Sequence, residues 1–138
     1  MNLSTLLIKL EACDEARKWA KPYAALQEAW DVCPRADWML WLLEATESHA
    51  EERRTLAYAF ADRAVRVHAV AALRSAGLTT EADRLAALPP IVDKETATAA
   101  RVAAGAAWDA AWDAAWAAEN KLQADTIRAL IPTPEVTP

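Results

Sequence analysis

The stretch AWDAAWDAAWAAENKL, beginning at Ala107, sets Trp108, Trp112 and Trp116 four residues apart, with Asp109 and Asp113 at the same spacing beside two of them. On a helix a step of four turns the side chain by only about 40°, so the three rings share a face. Asp109 and Asp113 lie about 100° further round, at the edge of that face. Rings and carboxylates so placed offer an aromatic wall for a flat ligand or a partner's apolar side chain, with acceptors along the rim. The plainer reading is that the rings cover neighbouring helices as core, since large aromatics dominate packing. Ala104, Ala111, Ala115 and Ala118 flank the ladder and let another backbone come close.

A second group lies in CPRADWMLWLLE, where Arg35, Asp37 and Trp38 open a helix. Arg35 with the free N–H groups of a helix start is the chemistry of an anion site. The alternative is local: Asp37 completes the helix N-terminus and Arg35 pairs with a nearby acid. Arg63 and Arg66, three apart on one helix face, pose the same choice. They form either a phosphate or carboxylate clamp, or a salt-bridged surface with Glu51, Glu52 and Asp62. His49 and His68 are the only histidines, 19 apart and without a Cys or His at metal-ligand spacing, which argues against zinc. No nucleophile elbow, phosphate loop or H-E-x-x-H motif occurs, so neither an enzyme nor a bound cofactor is expected.

The elements that must position these residues are helical. Alanine is the commonest residue, only Gly77 and Gly105 interrupt as glycines, and hairpin dipeptides are nearly absent. The pattern predicts an all-α fold, a compact bundle of five to six helices with a long Ala/Trp-rich C-terminal helix. Helix 1 is expected from about Ser4 to Lys21, helix 2 from Tyr23 to about Val32, and helix 3 from Pro34. "WMLWLL" is apolar on all sides, which suits a central helix. Helix 4 runs from Ser48 or His49 to Ala76, with an apolar stripe of Leu56, Phe60, Ala64, Val67, Ala71 and Arg74, and ends at Gly77. Helix 5 begins with Thr79 or Thr80 as its cap and ends at Pro89-Pro90. Helix 6, capped by Asp93, would reach Ile131 and span about 58 Å if unbroken, with Gly105 as a kink or a point of close approach. The expected organisation is one helical domain over residues 1–131 and a disordered, Pro-rich tail over 132–138.

The chain has 138 residues, a formal net charge of −5 and 54% hydrophobic residues. That is enough apolar material for a core. The acidic balance excludes general nucleic-acid affinity, which needs a basic footprint. No stretch approaches the roughly 20 apolar residues of a membrane span, and the N-terminus lacks a signal-peptide core. A cytoplasmic protein is expected, with Cys13 and Cys33 as reduced, buried thiols. Small-residue helix faces also allow a homo-oligomer.

Two segments, EACDEARKWAKPYAALQEAWDVCPRADWMLWLLE and AWDAAWDAAWAAENKLQADTIRAL, together resemble a group of small helical, immunity-like proteins of tailed phages and bacteria. The resemblance rests on Cys13-x-x-Ala16-Arg17, on Ala36-Asp37-Trp38 with Trp41-Leu42, and on the Ala/Trp ladder running into Glu119-Asn120. It implies a role without a catalytic motif. That role is a phage counter-defence protein, acting in the host cytoplasm, that binds a bacterial defence protein or sequesters a small nucleotide signal. The alternatives are an immunity protein that blocks a toxin protein, and a helical oligomerisation or regulatory domain. The expected contact surface joins Arg35, Asp37 and Trp38 to Arg63, Arg66, Trp108, Asp109, Trp112 and Asp113.

Overall fold

The structure, a computed structural model, describes residues 2–136. Its elements are α1 (Leu3–Lys9), α2 (Asp14–Ala20), α3 (Leu26–Val32), α4 (Ala36–Ala45), α5 (Ala50–Arg63), a π-helical stretch (Ala64–Ala69), α6 (Val70–Ser75), α7 (Thr79–Ala86), α8 (Lys94–Ala104) and α9 (Ala107–Leu130). Because α5, the π stretch and α6 follow without a gap, the described residues hold eight helical rods and no strand. The all-α expectation holds. The count exceeds five to six because two of the expected helices are each broken in two.

The first break replaces the expected helix 1. Glu11 takes a φ of +58°. The N–H groups of Glu11 and Ala12 close on the carbonyls of Ile8 and Leu7, which ends α1. Ala12 is thereby buried and Cys13, in extended conformation, starts α2. The second break is Gly105, with φ 54° and ψ −128°. That backbone region is open essentially to glycine alone, and a helix cannot pass through it. A Cβ there would meet nothing within 4 Å, so the residue serves conformation and not close approach. The unbroken rod expected from Asp93 to Ile131 is therefore α8 and α9.

Smaller boundaries also differ. Helix α3 starts at Leu26, where the Glu28 carboxylate accepts from the N–H groups of Ala24 and Ala25. Pro34 precedes α4, whose N-cap is Arg35. Leu78, not Thr79 or Thr80, is the N-cap of α7 and makes no side-chain bond. Asp93 caps α8 as expected, accepting from the Thr96 N–H at 2.8 Å.

Among the described residues the chain forms two compact units: residues up to 53 together with those from 120 onward, and residues 54–119. In the first unit, Leu3, Leu7, Ala12, Ala20 and Ala29 form a core flanked by Trp19, Tyr23, Leu26 and Trp41. Trp30 is 2% exposed, and its indole N–H donates to the Ile131 carbonyl at 2.9 Å. Arg128 donates to the carbonyls of Trp30 (3.0 Å) and Cys33 (2.6 Å), closing the C-terminal end of α3 with a cation, as the helix dipole favours. Helix α4 buries Met39, Leu42 and Leu43 and leaves Trp38 and Trp41 half-buried. Past α9, Pro132 accepts from Gln27, Pro134 is buried, and the Glu135 N–H donates to His49 Nε2 at 3.1 Å. Those contacts lie in the segment expected as a disordered tail. Its last two residues, 137 and 138, are outside the described residues.

The core of the second unit is built largely from alanine: Ala61, Ala64, Ala69, Ala82, Ala100, Ala104, Ala111 and Ala115 are buried with Val65, Leu73, Leu85 and Ile91. The π stretch decides which residues enter it. Its i→i+5 bonding makes a single-turn bulge in an otherwise α-helical rod and shifts the phase of the residues that follow. After Leu56, Phe60, Ala61, Ala64 and Val65, the next buried positions are Ala69 and Leu73, while Val67 is 43% exposed. The stripe expected at Val67, Ala71 and Arg74 is thus displaced.

Candidate functional site

The candidate residues fall into two clusters, one in each unit. In the first unit, Cys13, Glu15, Ala16, Arg35, Asp37, Trp38 and Trp41 bound an open groove of about 320 Å³. Volumes of that order suit small-molecule sites. Ala16, Trp38 and Trp41 also line a small apolar cavity of about 60 Å³ that reaches Trp19, Trp30, Met39 and Cys33. That space holds one or two water-sized groups.

Each guanidinium nitrogen of Arg35 is turned to a neighbouring carboxylate. Its Nε and Nη2 donate to the two Asp37 oxygens at 2.9 and 2.7 Å, a bidentate pair, and Nη1 reaches Glu15 at 3.4 Å. The guanidinium carbon also lies 4.4 Å from the Trp38 ring centroid. The bonds from Arg35 hold the Asp37 carboxyl below its ordinary pKa against the opposing effect of partial burial, and Asp37 in turn raises that of Arg35. At the start of α4 the Ala36 N–H is taken as well, donating to Asn120 Oδ1 at 2.6 Å. The anion site allowed by the sequence is filled from within by Asp37 and Asn120.

In the second unit Arg63 and Arg66 face different partners. Arg66 donates to Asp62 at 3.0 Å and to the carbonyls of Ala86 and Leu88 at 3.2 and 2.9 Å, and Asp62 accepts from the Ile91 N–H. This arginine ties the end of α7 and the loop after it to the π stretch. Arg63 binds Glu119 at 2.5 Å. Glu119 interrupts α9 with φ −120° and ψ 15°, and it is buried. Its other oxygen stands 3.6 Å from His68 Nε2. Within the described residues these two arginines form no clamp.

The tryptophan ladder is neither fully core nor fully surface. Along the first half of α9 the buried positions are Ala111 and Ala115, whereas Trp108, Trp112 and Trp116 are half-buried. Trp108 and Trp112 pack on the margin of the alanine core, with ring centroids 6.4 Å apart, and Arg101 lies 5.6 Å from the Trp108 ring. Asp109 and Asp113 are exposed. Since residues three and four apart are neighbours on a helix, Asp109, Trp112, Asp113 and Trp116 alternate along one strip.

Two features were missed or misjudged from sequence. Glu119 and Asn120 carry the internal contacts just described, and their only signal was polarity interrupting the alanine ladder at "AAENKL". Cys13 is exposed, contrary to expectation, because the α1–α2 break puts it at a helix start; Cys33 is buried as expected. Burial raises the Cys33 thiol pKa.

Protein-family models, curated protein sequences and solved structures were compared with the chain, and none of the three comparisons gives a match. No helix among the described residues is long and apolar enough to cross a membrane.

Proposed function

We propose that this chain is a non-enzymatic phage counter-defence protein that neutralises a bacterial immune component by binding it, and that the component is a basic protein. The observation that carries the choice of partner is a contrast in how charges are used. Arg35, Arg63 and Arg66 are each bonded to carboxylates of their own unit. Asp109 and Asp113 form no ion pair among the described residues and stand exposed beside half-buried rings. A nucleotide signal needs free cations for its phosphates. A lysine- or arginine-rich surface instead finds acceptors and aromatic faces on one strip. Arg101 against Trp108 shows the same pairing inside the chain. The phage setting rests on the resemblance of the two segments quoted above.

The test is expression in bacteria carrying single defence systems, challenged with phage that each system blocks. Restored plating on at least one strain, lost in an Asp109→Asn/Asp113→Asn double variant that keeps its helical circular dichroism, is the expected result. Trp112→Ala should weaken binding to the isolated component by about 2 kcal/mol or more, roughly 30-fold. Protection from a co-expressed toxin without any effect on phage plating would favour the immunity-protein reading. Rescue that survives both Asp substitutions would remove the ladder as the contact surface.

A further inference from the structure

We propose that the groove of the first unit binds a small organic cation with an aromatic body, an arylalkyl ammonium. This site is separate from the α9 strip and does not depend on the neutralising role.

The sign of the ligand follows from the charges lining the groove. Two carboxylates, Glu15 and Asp37, face one guanidinium, Arg35. Asp37 takes both of its close bonds from Arg35, whereas Glu15 has only a 3.4 Å contact and a side chain 72% exposed. One carboxylate is therefore in excess and nearly unclaimed. An entering anion would meet an arginine with Nε and Nη2 already donating to Asp37 and Nη1 turned to Glu15. An ammonium would meet Glu15 directly.

The body of the ligand follows from the walls. Trp38 and Trp41 are half-buried and border both the groove and the apolar cavity behind it. Trp38 already carries a cation against its ring, with Trp19 beside it at 5.8 Å between centroids. A flat apolar group set against these rings gains contact area and places its charged end at the outer rim. The 60 Å³ cavity is too small for a second ring, so the aromatic body stays in the groove.

Phenethylamine, phenylacetate and 2-phenylethanol are nearly isosteric and differ mainly in charge, so they separate the contributions. Binding is read by NMR from the indole N–H signals of Trp38 and Trp41 in the full chain. Expected is saturable binding of phenethylamine below about 10 mM, the range for a ligand of this size. Phenylethanol should be weaker by about fivefold and phenylacetate weaker still. Glu15→Gln, on an exposed side chain, should remove the preference for the amine over the alcohol while leaving the spectrum folded. No saturable shift with phenethylamine overturns the proposal. So does tighter binding of phenylacetate, which would make Arg35 an anion clamp, and so does an amine preference unchanged in Glu15→Gln.

Discussion

Arg63 holds Glu119 at 2.5 Å, and the two ends of this pair differ in environment: the arginine side chain is 49% exposed and the glutamate side chain 10%. The glutamate sits where α9 departs from helical geometry. The charge that needs the partner is therefore the carboxylate, and the guanidinium brings its compensation from solvent.

Arg63→Met should leave Glu119 buried without its donor and cost about 1–3 kcal/mol. The lower figures are favoured because the arginine end is half in water and screened. Glu119→Gln should cost less, since an amide tolerates burial better than an unpaired charge. Urea denaturation of the three proteins checks the order. Equal losses for the two variants would mean that the contact acts through packing and not through charge.

Acid should act on the first unit through Asp37. Its carboxyl is held below the usual range chiefly by the Arg35 bonds, so folding binds fewer protons there than the unfolded chain does. The resulting stability is fully present above the ordinary aspartate range and is lost as pH falls through the depressed folded value. Carboxyl-carbon NMR of Asp37 should give a midpoint below that of a free aspartate. Arg35→Met should move it upward. An Asp37 midpoint unchanged by that substitution would contradict the bidentate pair.

The two thiols should separate kinetically. Cys13 is exposed, and Cys33 is buried with its pKa raised mainly by desolvation. A thiol reagent near neutral pH should therefore modify one sulfur per native chain rapidly and the second only on unfolding, since reaction needs both access and thiolate. Mass mapping should place the fast label on Cys13. Fast labelling of both would show that the space behind Trp38 and Trp41 opens readily.

The local punctuation of this chain was readable from residue types. Asp93 caps α8, Gly77 ends α6 with φ 79°, and Pro89-Pro90 follows α7. Caps and stops depend on one residue and its nearest backbone, so short windows of sequence contain their cause. The all-α class was readable for the same reason, as a sum of local propensities.

Burial and pairing required the tertiary structure. An unbroken helical period places Val67 and Ala71 on the core stripe, but the π stretch turns Ala69 and Leu73 inward instead. That bulge serves the packing of the alanine core against α7 and α8, which no window around His68 encodes. The ladder spacing put three rings on one face of α9. The flanking alanines were legible as points of close approach, but only the packed helices show that Ala111 and Ala115 are buried, that Ala118 is exposed, and that the rings stay at half depth. Arg35 could have faced a ligand or an acid, and Asn120, 84 residues away in sequence from Ala36, takes the helix N–H that a ligand would have used. Such contacts form between segments distant in the chain, so their geometry is set by how whole helices pack and not by the local pattern of either segment.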